Sequence, residues 1–310
     1  MDLHRCRCGH VCLFHDCQDL TSVVMAVLIA ADILHPLACG ICRLKAAVER
    51  YICEEVSNLQ DDERKAQAMA GLCILLTQLQ DPSVPDELID AIPTFYSLLD
   101  DAQGGDRSIQ ANACAVLSAL MAVSEGLHKR IVNDGVVRRV QQLITAVADT
   151  EERTLQLNAL ACLAEALRDR EEEAAALVAA GGLAPVLQLC NPGLPVRLQE
   201  AAADVVCAVA CAEGTGGALS EQGAVEKLAS LLATPNHDVR VRALMGLGMM
   251  LPKSNDNQVF MARNAAAITN LLAIMRQQED QDCRILARDI FAGLARNPQS
   301  KDLIAQAMRT

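Results

Sequence analysis

Aromatic residues are scarce in this chain of 310 residues. It has no Trp, and aromatic side chains make up only 2% of it. β-sandwiches and β-barrels rely on aromatic residues and on alternating patterns, so the scarcity of aromatic residues disfavours a β-rich fold. Hydrophobic residues still amount to 52%. The apolar material is aliphatic and small, which suits closely packed helices.

An excess of positive charge is also absent. The formal net charge is −12 and the isoelectric point is about 5.0. Nucleic-acid binding usually needs a basic patch, so no nucleic-acid partner is expected. The acid-rich stretch 169–173 is interpreted as a solvated helix start, which the helix dipole favours.

The sequence lacks the usual signatures of an enzyme. The stretch GTGG at 214–217 does not fit the phosphate-binding pattern G-x-x-x-x-G-K-[ST] and follows no strand. His128 and His237 lie in helix-start or turn segments without a triad-like context, and we expect them to be solvated. We therefore predict no catalytic site and no cofactor.

Long hydrophobic runs are missing too. The best candidate, residues 23–34, is apolar for twelve positions before His35-Pro36. A membrane-spanning helix needs about 20 such residues. The stretch is interpreted as a buried first helix, with a signal segment or membrane anchor as the alternative, and no membrane partner is expected.

The chain does contain a repeated sequence pattern. Similar helix starts occur as GVVRRVQQLI from Gly135, GLAPVLQL from Gly182, GAVEKLASLL from Gly223 and AAITNLLAIM from Ala265. Their spacing of about 40–47 residues is typical of armadillo or HEAT helical repeats. One helix pair cannot bury its apolar face alone, and stacked neighbours share a continuous core.

Each repeat has the same predicted order of elements. A short helix ends at a Gly suited to the left-handed conformation, and a second helix and a turn follow. A longer third helix, such as LQLNALACLAEAL at 155–167, has apolar residues at helical spacing. The prediction is an all-α, right-handed α-solenoid of about five to six three-helix repeats over 44–310, and a monomer.

These features resemble the armadillo-repeat family over residues 104–310, with weaker regularity over 44–103. The resemblance rests on the helix starts that begin with Gly and on an alanine where each third helix should cross its neighbour. These alanines are Ala113, Ala159, Ala201, Ala243 and Ala287. The resemblance implies a protein-binding array. Armadillo proteins that carry nuclear-import cargo have Trp and Asn ladders on the third helices, and neither ladder is present here.

A narrower resemblance covers about two repeats. DVRVRALMGLG at 238–248, QVFMARNAAAITNLLAIMRQQ at 258–278 and LARNPQSKDLI at 294–304 are similar to armadillo-type nucleotide-exchange factors of heat-shock chaperones. That resemblance implies an array that clasps a lobe of the chaperone ATPase domain. It is kept as the alternative function.

Residues 1–43 form a separate Cys/His-rich and apolar leader. Zinc requires four N or S ligands, and this leader is dense in such residues. An unstructured tail is the favoured interpretation, and a metal-binding leader is the alternative from another class. Its candidate ligands are Cys6, Cys8, Cys12, Cys17, Cys39 and Cys42.

Most of the remaining cysteines occur singly within apolar runs, where Cys acts as a small buried hydrophobe. These are Cys73, Cys114, Cys162, Cys207 and Cys211. A disulfide framework belongs to small secreted domains. We therefore predict a reducing compartment, the cytoplasm or the nucleus.

The predicted function is a non-enzymatic scaffold that binds a partner protein on the concave face formed by the third helices. Counting from each crossing alanine, the solvent-facing side should carry polar residues. Small residues such as Ala119 and Gly246 should leave room for partner side chains. The predicted contact residues are Asn112, Asn158, Glu165, Glu200, Asp204 and Arg242.

Overall fold

The computed structural model describes residues 40–78, 84–101, 104–277 and 279–307. These residues form α-helices, one short 3-10 helix and connecting turns, with no strand among them. The helices are α1 Gly40–Asn58, α2 Lys65–Gln78, α3 Asp86–Asp90, α4 Ile92–Asp100, α5 Arg107–Val123, α6 Glu125–Asn133, α7 Val136–Val147, α8 Arg153–Leu167, α9 Glu171–Ala179, α10 Ala184–Leu189, α11 Val196–Cys211, α12 Gly216–Glu221, α13 Ala224–Leu231, α14 His237–Met250, α15 Asn255–Arg263, α16 Ala265–Arg276, α17 Gln281–Arg296 and α18 Pro298–Ala307. The 3-10 helix is Leu251–Lys253.

The described residues divide into two compact units, one ending at Ala166 and the other beginning at Leu167. In the first unit the third helices are α2, α5 and α8, and α2 packs against α5. In the second unit they are α11, α14 and α17, with α14 packed against both of the others. The shorter first and second helices pack around them, as in the predicted three-helix repeat.

Polar N-caps start many of the helices. The side chains of Asp106, Ser124, Asn236, Ser254 and Asn264 each accept a hydrogen bond from a backbone N–H in the first turn of the following helix. Such caps satisfy N–H groups that have no partner within the helix.

Glycine makes the sharp turn between the first and second helix of a repeat. Gly135 and Gly223 have φ angles of +85° and +79°, in the left-handed region. A side chain there would meet a steric cost that glycine avoids. The sequence prediction for these two turns is confirmed.

The alanines predicted at the helix crossings are all buried. None of Ala113, Ala159, Ala201, Ala243 and Ala287 exposes more than 8% of its surface. Near Ala243, a Cβ added to Gly246 would lie 2.7 Å from Leu228 Cδ1. The third helices therefore contact their neighbours through the smallest side chains, as native packing density requires.

Most of the leader lies outside the residues that the structure describes. The apolar stretch 23–34 and the candidate ligands Cys6, Cys8, Cys12, Cys17 and Cys39 lie outside the described residues, and Cys42 lies in the first turn of α1. The boundary predicted after residue 43 falls within α1. Among the described helices, none is both long and apolar enough to cross a membrane.

A candidate protein-binding face on the third helices

Three of the six predicted contact residues meet in the second unit. Arg242 on α14 places Nη2 3.0 Å from Oε1 of Glu200 on α11, and its Nε donates a hydrogen bond to Asp204 Oδ1 one turn further along. Arg242 Nη1 also donates to the carbonyl oxygen of Asp238 at 3.2 Å. All three predicted side chains are partly exposed, so together they form a surface site.

Apolar side chains lie beside these charges. Met245, one turn after Arg242 on α14, exposes 41% of its surface. Val196, one turn before Glu200 on α11, is similarly exposed. We call Val196, Glu200, Asp204, Arg242 and Met245 the Arg242 face. It offers a partner both ionic and hydrophobic contacts.

The Arg242 face has an excess of negative charge, because the single guanidinium of Arg242 forms ion pairs with two carboxylates, those of Glu200 and Asp204. Desolvation by burial raises the pKa of Asp204 to about 6, against the opposing effect of Arg242. The nearby carboxylates of Glu200 and Asp238 raise this pKa further. Since the Asp204 side chain still exposes 41% of its surface, solvent screens part of the shift.

The raised pKa predicts a pH-dependent effect of Asp204→Asn. A carboxyl whose pKa is higher in the folded state binds its proton more tightly there. Its contribution to stability therefore falls as pH rises from the ordinary value of 3.8 to about 6. We expect the Asn variant to gain stability relative to wild type across this interval, measured by urea unfolding at successive pH values.

Asp302→Asn, at an exposed position on α18, is the control for this experiment. It should show no comparable gain over the same pH interval. A constant difference between Asp204→Asn and wild type at every pH would show that Asp204 titrates as an ordinary carboxyl.

Asn158 does not belong to an exposed stripe, so this part of the prediction is wrong. It is only 4% exposed, and its Nδ2 donates a hydrogen bond to Ala111 O of the neighbouring third helix at 3.0 Å. The short amide sits between two packed helices, where it satisfies a buried carbonyl. The other two predicted residues, Asn112 and Glu165, lie in the first unit and are intermediate in exposure.

Three smaller expectations also fail. Ala119 and Gly246 are buried between helices and leave no room for partner side chains. His128 is buried, with Nε2 2.8 Å from Glu165 O, and is not solvated. Cys211 is exposed and its Sγ lies 3.3 Å from Met249 Sδ, whereas the other four cysteines predicted to be buried are buried.

The sequence interpretation missed a recurring buried glutamine. Gln110, Gln156 and Gln199 each occupy the fourth position of a third helix and are almost fully buried. Their pattern is visible as SIQANA, TLQLNA and RLQEAA, so the repeat alignment contained the signal. Polar residues at a buried, repeated position indicate a structural hydrogen bond.

Each glutamine amide binds the carbonyl groups of the preceding turn. Gln156 Nε2 lies 2.6 Å from Val147 O and 2.9 Å from Thr150 O. Gln110 Nε2 lies 2.7 Å from Asp101 O, and Gln199 Nε2 lies 2.7 Å from Leu194 O. These three side chains hold the residues that precede α5, α8 and α11 against those helices.

No protein-family model and no curated protein matches the chain. Solved structures do. An engineered protein matches with a TM-score of 0.69 at 20% identity, covering 94% of this chain and 72% of that one. Computationally designed armadillo repeat proteins for modular peptide recognition match with a TM-score of 0.64 at 19% identity, covering 78% and 99%.

A designed armadillo repeat protein in complex with the peptide (KR)4 is also similar. Its TM-score is 0.62 at 15% identity, and the match covers 78% of this chain and 99% of that one. At such identities the likeness establishes the fold. The chain has the armadillo fold, an all-α solenoid.

Proposed function

We propose that this protein is a non-enzymatic interaction module that binds a basic, partly apolar segment of a partner protein on the Arg242 face. The observation that carries the proposal is the convergence of Glu200, Asp204 and Arg242 from two successive third helices. These half-exposed charges interrupt helices that are otherwise rich in small apolar residues. Because these side chains are partly exposed, a partner protein can reach them.

The charge of the face favours a basic partner. Two carboxylates, with that of Asp238 close by, exceed the single positive charge of Arg242. Lys and Arg side chains of a partner can pair with the outer oxygens, and Met245 adds a flexible apolar contact surface. The (KR)4 peptide of the similar designed protein is a basic ligand on the same fold.

The proposed cellular compartment follows from the state of the cysteines. Eight cysteines of the described residues, from Cys53 to Cys283, are free thiols, which supports a reducing compartment such as the cytoplasm or nucleus. We propose that the protein acts there as a monomeric adaptor.

Site-specific photo-crosslinking tests the location of binding. A photoreactive phenylalanine analogue placed at Met245 in the full chain should capture a partner in extracts of the source organism. The matched control is the same analogue at Ala175, which is exposed on the first helix α9. Capture of the same partner from Ala175 and not from Met245 would move the binding site to the opposite surface.

The identity of the captured partner decides between the two functions. A heat-shock chaperone that is released by ATP would support the nucleotide-exchange alternative implied by segments 238–248, 258–278 and 294–304. Any other dominant partner with a basic segment would support the adaptor function.

A further inference from the structure

Three side chains with metal-binding groups converge in the second unit, at the start of α14 and of α17. His237 is the first residue of α14, Asp280 is the N-cap of α17, and Cys283 lies in the first turn of α17. His237 Nδ1 lies 3.0 Å from Asp280 Oδ1 and 4.0 Å from Cys283 Sγ. All three ligand atoms lie within 4.8 Å of one another.

We propose that His237, Asp280 and Cys283 bind one Zn²⁺ ion between the N-terminal ends of α14 and α17. A thiolate, an imidazole and a carboxylate are the ligand types that zinc takes in proteins, at about 2.0–2.3 Å in a tetrahedron. Neighbouring donor atoms around such an ion are about 3–4 Å apart. Two of the separations, 3.0 Å and 4.0 Å, lie in this range and the third is at most 4.8 Å, so small side-chain movements bring the three ligand atoms to one ion.

The surroundings supply both access and orientation. His237 exposes 50% of its side chain, which gives an ion a route from solvent, while Asp280 is mostly buried and Cys283 fully so. The backbone N–H of Cys283 donates to Asp280 Oδ1 at 3.1 Å. Such contacts hold a ligating carboxylate in place, as in established metal sites.

The positive charge of Arg240 near the cluster disfavours a bound cation. The negative charges of the ligands offset this effect. Arg240 Nη2 lies 3.7 Å from Asp280 Oδ2, on the oxygen away from His237. Arg240 is held there by Gln277 Oε1 at 2.7 Å and Pro235 O at 3.1 Å. The thiolate and carboxylate bring two negative charges to the ion, and three protein ligands leave the fourth position to water.

Bound zinc would join the last two third helices of the second unit. The proposed site shares no residue with the Arg242 face, although His237 precedes Asp238, whose backbone carbonyl accepts a hydrogen bond from Arg242. It also differs from the Cys/His leader, which lies in another part of the sequence. Zinc would act here as a structural link whose binding energy adds to the stability of the folded state.

Zinc titration of the full chain against a chromophoric chelator tests the proposal. Wild type should bind one more zinc ion than His237→Ala, Cys283→Ala or Asp280→Asn. Loss of a ligand should weaken binding at this site by more than about 100-fold, beyond the effect of outer-shell changes. Asp280→Asn is informative because Asn retains the N-cap and removes the charge.

Two further readouts separate zinc binding from folding. Zinc should raise the melting temperature of wild type and leave that of His237→Ala unchanged. With Co²⁺ in place of zinc, the thiolate charge-transfer band should lose the contribution of Cys283 in Cys283→Ala. Cys190→Ala, which empties an equally buried thiol position on another helix boundary, should keep the full zinc stoichiometry.

The proposal is overturned if His237→Ala and Cys283→Ala bind as many zinc ions as wild type with equal affinity. It is also overturned if all bound zinc is lost on replacing Cys6, Cys8, Cys12 and Cys17 of the leader by Ser. Retention of one zinc ion in that leader variant, and its loss on adding His237→Ala, supports the site.

Discussion

Gln156→Leu is expected to lower the free energy of unfolding by about 1–3 kcal/mol, the cost of leaving a carbonyl group without its donor and the largest stability effect predicted here. The substitution removes the amide that donates to Val147 O and Thr150 O in the turn before α8. Val147 O keeps the backbone N–H and the hydroxyl of Thr150 as donors, so the main loss is at Thr150 O. Leucine is similar in size, so lost hydrogen bonds rather than a cavity should dominate the change.

Urea unfolding followed by circular dichroism measures this effect. Gln142→Leu is the matched control, because Gln142 is exposed on the neighbouring helix α7. The control should change stability by less than about 0.5 kcal/mol. Equal stability of the two variants would show that Gln156 does not hold the turn.

The double variant Glu200→Gln/Asp204→Asn is expected to weaken binding of the captured partner by at least tenfold, or about 1.4 kcal/mol. Both side chains keep their shape and lose their charge, so the Arg242 face changes from negative to positive. A basic segment then loses its ion pairs and meets the unpaired guanidinium of Arg242. Like-charge contacts at an interface disfavour association.

The control variant makes the same change in total charge elsewhere. Glu172→Gln/Glu173→Gln lies in the first turn of α9 and should leave affinity nearly unchanged. Isothermal titration calorimetry with the partner segment found by crosslinking gives both affinities. Equal weakening by the two double variants would mean that overall charge, and not the Arg242 face, drives binding.

Periodicity explains why the architecture was predictable. The spacing of the Gly-led helix starts and the third-helix alanines depends on local conformation and on repeated packing. Both leave a mark at fixed positions in the sequence. Gly135 and Gly223 adopt the expected left-handed conformation, and Ala159 and Ala243 are buried at helix contacts. The pattern of one repeat therefore predicted where the glycine turn and the crossing alanine occur in the next repeat.

The proposed partner-binding face was predictable only in part. Glu200, Asp204 and Arg242 were placed on one face by their spacing from the crossing alanines, and their side chains do meet. Asn158 has a similar position but is buried, because its short amide reaches the backbone of the adjacent helix. The spacing of residues along one helix predicts the direction in which each side chain points. The distance to the neighbouring helix decides whether a side chain in that direction is exposed to solvent.

Sequence patterns alone predicted an all-α repeat, its helix order and the residues at its crossings, because these depend on patterns within about 40–47 residues. Which polar residues meet across repeats follows from the tertiary structure. His237 and Cys283 are separated by a whole repeat, yet their ligand atoms lie 4.0 Å apart. Such contacts depend on how successive third helices align, and that alignment is a sum of many packing interactions which no single stretch of sequence displays.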